Sequence, residues 1–118
     1  MANSPTTRSL ALMRKEGYTC AIVEHWNPFA NIRQDLYGFI DIVCLRGDNR
    51  GILGIQTTST GNINARIKKI QANPIYILWL QCGNQIEVQG WSKKGKKGKV
   101  KHWTVKRVPI ELYIKNNL

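Results

Sequence analysis

A chain of 118 residues, 42% hydrophobic with four Trp, is long enough for one buried core and too apolar for a disordered segment. No run approaches the ~18 apolar residues of a membrane span, and the N-terminus lacks the apolar stretch of a signal peptide. A net charge of +11 points to a polyanionic partner, most simply nucleic acid.

That charge is uneven: residues 1–50 carry +1, with six basic and five acidic side chains, while residues 51–118 carry +10, with twelve and two. Three Cys (Cys20, Cys44, Cys82) are odd in number and widely spaced in apolar surroundings. They read as small core residues of a protein in a reducing cytoplasm, not as a disulfide or zinc framework. The two His, His25 and His102, lack metal-type spacing.

The chain opens with Ser4-Pro5-Thr6-Thr7, a cap followed by a proline suited to a first helical turn. Leu10, Leu12 and Met13 give the helix an apolar side, and Gly17 ends it. Tyr18 to Val23 is rich in aromatic and β-branched residues and reads as a strand ending at Glu24. A loop over residues 27–34 leads to Asp35. In extended chain Asp35 would lie roughly 20 Å from Asp41, at ~3.3 Å per residue. It reaches Asp41 only if the chain folds back at Gly38; otherwise it is structural, with Arg33 as its partner.

Two apolar runs, Ile40 to Leu45 and Ile52 to Ile55, flank the turn-forming Gly47-Asp48-Asn49-Arg50-Gly51. This is a β-hairpin pattern. With the turn centred between Asp48 and Asn49, Val43 faces Gly54 and Asp41 faces Gln56. Directly opposed Cβ atoms in an antiparallel pair lie roughly 4.5–5.5 Å apart. An acid and an amide therefore share one spot at the open end of the hairpin, where solvent can reach both. Thr58 lies on the face of Gln56, because strand side chains alternate. A hard divalent cation accounts for such polar grouping: magnesium takes oxygen ligands, usually one or two carboxylates plus substrate phosphate. The plain alternative is a solvated strand end.

Past Thr58, Ser59, Thr60 or Asn62 can cap a helix whose Ile63, Ile67 and Ile70 form one apolar face. Arg66 and Lys69 share another face. Either could reach back toward Gln56, and Arg66, nearer the helix start, is the first candidate; Lys68 and Lys69 otherwise read as phosphate contacts. Pro74 then opens an apolar run, Ile75 to Leu80, read as a strand buried on both faces. Gln85 to Trp91 alternates as a half-exposed strand, and His102 to Val108 forms the last one. Between them lies a glycine-broken basic loop holding Lys93, Lys94, Lys96, Lys97, Lys99 and Lys101, with no acid. Mobile point charges of this kind suit backbone phosphates.

Asp at the start of one strand and (Glu or Gln)-x-Lys on the next is the signature of the PD-(D/E)XK nuclease superfamily. Gly38-Phe39-Ile40-Asp41 followed by Gln56-Thr57-Thr58 resembles it, and in particular the small phage and archaeal-type Holliday junction resolvases. Gln56 stands for the usual Glu, and Thr58 stands where the catalytic Lys is expected. The resemblance covers about residues 5–81 and implies an α/β (α+β) fold with an αβββαβ restriction-endonuclease-like core. The mixed sheet would be flanked by helices, and a basic hairpin over about residues 85–108 would be a family-variable extension of the same single domain. It implies a metal-dependent endodeoxyribonuclease active in DNA recombination, using Mg2+ or, in its place, Mn2+. Asp41, Gln56, Glu24 and Asp35 would be metal residues; Asp41, Gln56, Thr58, Arg66 and Glu24 catalytic ones; Lys68, Lys69 and the loop lysines DNA contacts. Two cuts across a junction imply a homodimer, with Trp79 or the C-terminal tail as the candidate interface. Two alternatives stand beside this: a non-catalytic nucleic-acid-binding module on a degenerate nuclease fold, and a restriction-type endonuclease.

Overall fold

The computed structural model describes residues 4–95 and 101–112. Helix α1 (Pro5–Lys15) begins as its sequence dictates, with the Ser4 hydroxyl accepting from the Thr7 amide and Pro5 in the first turn. Its buried face is Thr6, Ser9 and Met13, with Leu10 and Leu12 only partly covered. The face that docks is thus more polar than the leucines suggest.

Strands β1 (Thr19–Ile22), β4 (Ile42–Arg46) and β5 (Asn49–Ser59) form an antiparallel meander. Between β1 and β4 the chain makes a separate two-stranded arm, β2 (His25–Asn27) and β3 (Ile32–Gln34), where sequence reading gave a loop. The β4–β5 register pairs Val43 with Gly54 and Ile42 with Ile55, as the hairpin pattern requires. A bulge between Cys44 and Arg46 shifts it only near the turn.

After a 3-10 turn (Thr60–Asn62), helix α2 (Ile63–Gln71) buries Ile63 and Ile70 with Ile67 partly covered, the expected face. The run read as a strand is instead helix α3 (Ile75–Gln81). Asn73 Oδ1 accepts from the Ile75 amide at 3.0 Å and starts the turn. Tyr76 and Trp79, three apart, are its buried residues, while Ile77 and Leu78 are exposed. A short apolar run has no period that separates a buried strand from a helix, and only its neighbours decide.

Strand β6 (Gln85–Lys94) takes the place expected of residues 75–80, pairing in parallel with β5. Parallel neighbours need a crossover of a dozen or more residues, which α2 and α3 supply. Strand β7 (His102–Ile110) closes the sheet antiparallel to β6, giving the order β1-β4-β5-β6-β7. The molecule is therefore mixed α/β, with a five-stranded mixed sheet between helices. Met13, Ile42, Cys44, Leu53 and Ile55 form the core under α1. Phe39, Ile40, Ile63, Ile70, Trp79 and Val88 belong to the core on the other face, under α2 and α3.

Gly90 lets α2 approach β6, since a Cβ there would lie 2.4 Å from the Ile63 side chain. Cys44 is buried and faces the partly buried Cys20, but Cys82 is exposed at the end of α3, so it is not a core residue. Among the described residues no helix is long and apolar enough to cross a membrane.

Candidate metal centre and cleft

The strand ends of β4 and β5 meet a cleft of about 450 Å³ whose lining includes Glu24, Asp35, Asp41, Gln56, Thr58 and Arg66. Three of these are acids, in a chain that has only seven. Glu24, Asp35 and Asp41 each bring a carboxylate oxygen within 4.8 Å of the others.

Each acid arrives by a separate local device. Asp41 sits one residue before β4, and its amide donates to the Ile55 carbonyl at 2.8 Å, which extends the ladder toward Gln56. Glu24 follows the end of β1. Asp35 comes back through a reversal at Tyr37 and Gly38, both with positive φ (56° and 84°), closed by an isolated bridge between Leu36 and Ile40. The fold-back at Gly38 that Asp35 needed is therefore present. Arg33 pairs with Glu24 at 3.0 Å, while Asp35 lies 3.6 Å from Lys69 Nζ.

Asp41 Oδ2 accepts from Gln56 Nε2 (2.7 Å), the Thr57 amide (2.7 Å) and Thr57 Oγ1 (3.1 Å). The acid–amide meeting expected from the register is thus made. Its openness to solvent is not: Asp41 is 3% exposed and Gln56 1%, so both form the floor of the cleft, not an exposed rim. Residues of α1 and α2 wall the cleft around the hairpin end, which strand pairing alone could not reveal.

Burial raises the Asp41 carboxyl from its ordinary 3.8 to about 8. The adjacent Asp35 carboxyl adds to the rise, both by contact and by charge, and the Thr57 amide opposes it.

Gln56 gives a second, independent sign of a missing partner. Its Nε2 reaches both Asp41 Oδ2 and, at 3.4 Å, Asp35 Oδ2. Its Oε1 is buried with no hydrogen-bond partner, one of two such side-chain atoms among the described residues. Leaving a buried acceptor unmade costs about 1–3 kcal/mol. In this state the amide N–H group does what a cation would do between two carboxylates. Turning the amide would bring the orphaned oxygen to the acids, which is favourable with a cation, or a carboxyl proton, between them. Carboxylates and an amide oxygen, with no His or Cys, form a donor set for a hard ion such as Mg2+ or Mn2+.

Thr58 lines the cleft, 5% exposed, and brings a hydroxyl where the resembled motif has an ammonium. The cleft's cations come from elsewhere: Arg66 and Lys69 from α2, and Arg33 from the arm. Of the two α2 candidates, Lys69 is the one paired with an acid of the cluster. Lys68 is exposed on α2 and does not line the cleft. Lys93 and Lys94 are exposed at the end of β6, and Lys101 is exposed just before β7. Lys96, Lys97 and Lys99 lie outside the described residues.

Sequence reading, which counted only the backbone of Thr57 toward the site, missed the Thr57 side chain and Thr6. Thr57 Oγ1 bonds both Asp41 and the Thr6 hydroxyl, the latter at 3.0 Å, so α1 braces the acid from below the sheet. The spacing of Thr6, Ser9 and Met13 was the available signal. Trp79, a candidate interface residue, is instead a core residue, 8% exposed, with Nε1 donating to the Gln85 carbonyl. Compared with protein-family models, with curated proteins and with solved structures, the chain matches none.

Proposed function

We propose that this protein is a divalent-metal-dependent DNA endonuclease of the PD-(D/E)XK kind, acting on branched DNA such as a four-way junction. One observation carries the reading: three carboxylates converge in a cationic cleft beside a buried amide oxygen that has no partner. The strand succession also supports it, because β1, β4 and β5 run antiparallel and a helical crossover leads to a parallel β6.

Asp41, Asp35, Glu24 and, through Oε1, Gln56 would hold Mg2+, or Mn2+ in its place. When bound, such an ion supplies Lewis-acid activation of water and neutralises charge on the scissile phosphate. The chain's own groups do the rest. Thr57, braced by Thr6, fixes the Asp41 carboxylate through Oδ2. Lys69 and Arg66 stand in for the motif lysine and oppose the charge that builds on phosphate. Lys69, held by Asp35, is the better positioned of the two. Lys93, Lys94 and Lys101 are exposed cations suited to more distant phosphates. Resolution of a junction would take two copies of the chain arranged with twofold symmetry.

A second reading, a nucleic-acid-binding module without catalysis, is favoured by Thr58 and by the raised Asp41 carboxyl, since a shared proton can also hold two acids together. Asp41→Ala tests the choice, assayed for nicking of a four-way junction with magnesium. The expected result is loss of cleavage with junction binding retained. Undiminished nicking refutes the site, and a wild type that binds but never cleaves with Mg2+ or Mn2+ selects the second reading.

A further inference from the structure

The arm formed by β2 and β3 is a part of the molecule that the fold itself does not explain. It forms a separate two-stranded sheet, and Trp26, Phe29 and Ile32 belong to neither core. Phe29 at its tip is 98% exposed, and Trp26 and Ile32 are about half exposed, at 54% and 49%. Burying a Phe side chain stabilises a fold, and here that gain is left unused.

The tip is nevertheless shaped. Asn27 Oδ1 accepts from the amides of Phe29 (3.0 Å) and Ala30 (3.2 Å), and Asn31 takes a positive φ of 56°. The arm's root is the cleft. Glu24 immediately precedes β2 and Asp35 immediately follows β3, and Arg33 ties back to Glu24. Trp26 is paired directly with Arg33, so an indole and a guanidinium share one face of the arm.

At ~3.3 Å per residue, Trp26 lies about 7 Å along the chain from Glu24, and Phe29 about 17 Å. With nucleotides spaced ~3.4 Å along a strand, these are about two and about five steps from a phosphate held in the cleft. An aromatic face at that distance needs a planar apolar partner compatible with the cations that line the cleft beside it, Arg33, Arg66 and Lys69. A second arm packed face to face on this one would set its own Arg33 beside the first. A nucleobase brings its own phosphate, so its charge is complementary. Bases within an intact duplex already stack on one another, whereas those at a branch or flap do not.

We propose that Phe29 and Trp26 form a base-stacking arm that captures unpaired bases beside the phosphate in the cleft. The arm thereby directs the chain to branched or partly single-stranded DNA. The inference rests on the nuclease reading for the phosphate's position, yet base capture itself needs no cleavage.

The experiment is equilibrium binding by the full chain in EDTA, where no metal-dependent cleavage occurs. The probes are a four-way junction carrying a fluorescent base analogue at the branch, a single strand, and an intact duplex of matched length. Stacking on an aromatic side chain contributes about 1–3 kcal/mol per base, so Phe29→Ala and Trp26→Ala should each weaken junction and single-strand binding by about 5- to 150-fold. Duplex affinity should stay within about 2-fold, the range expected where no stacked base is lost. The change in base-analogue fluorescence on binding should disappear, and Phe29→Trp should keep it. Both positions are exposed, and a thermal melt of each variant checks that folding is intact. Equal losses on junction and duplex, no loss on either, or a wild type that binds none of the three DNAs overturns the arm. So does unchanged junction affinity with loss of self-association by light scattering, which would assign Phe29 to a contact between copies. Because these readouts use EDTA, they stand or fall independently of Asp41→Ala cleavage.

Discussion

Asp41 is where the chemistry of single residues is most exposed to test. A carboxyl raised from 3.8 to about 8 favours its protonated form in the folded protein. The stability this contributes is fully present below the ordinary value, declines as pH rises, and is lost above the raised value. In EDTA, Tm should therefore fall between about pH 4 and about pH 8, the window set by those two values. Magnesium or manganese should flatten the fall at the upper end by binding the ionised cluster. Asp41→Asn, which carries no charge to desolvate, should melt with a much shallower pH slope. A wild-type melt as flat as that of the variant would show that the buried carboxyl does not titrate in this window. Gln56 belongs to the same account, since its unpartnered Oε1 is a cost that cation binding would recover.

At the scale of elements, the reversal through Tyr37 and Gly38 decides whether the cluster has two acids or three. Asn73 Nδ2 donates to the Tyr37 carbonyl at 2.8 Å, and the Tyr37 ring meets Trp79 edge-on at 6.3 Å, so α3 and the connection before it pin the turn. A side chain at Gly38, with φ of 84°, would be forced into the left-handed region at a cost of roughly 1–2 kcal/mol. Gly38→Ala should lower stability by about that amount and weaken divalent-ion binding, as read by the ion's effect on Tm. Gly47→Ala is the control: its Cβ would meet nothing within 4 Å, and it should change neither. Equal behaviour of the two variants would mean that the turn does not position Asp35.

Across the whole molecule, one acidic pocket is set in a body of net charge +11. If exposed cations grip DNA away from the cleft, affinity should drop steeply with salt. The log–log slope should fall by about 0.9 for each lysine that meets a phosphate. Replacing Lys93, Lys94 and Lys101 together by Ala should make that slope shallower while leaving the metal response of Tm unchanged. A slope identical to wild type would remove these lysines from the interface. Trp103, with Arg8 stacked 3.7 Å from its ring centroid and Lys93 at 5.5 Å, shows cations already gathered at this end of the sheet.

Much of this was legible in local pattern. The hairpin register followed from two apolar runs and a turn between them, and it was enough to bring Asp41 to Gln56. The α1 cap and the isoleucine face of α2 also followed from neighbouring residues, because caps and helical periods are short-range. Ile75 to Leu80 was misread because six apolar residues have no decisive period, and only the need to cross over to β6 makes them a helix. Tertiary structure alone decided that Glu24 and Asp35 join Asp41, that α1 braces the acid through Thr6, and that the site lies buried on a cleft floor. Each of these depends on where distant segments pack, and burial is a property of the assembled fold rather than of any stretch of chain.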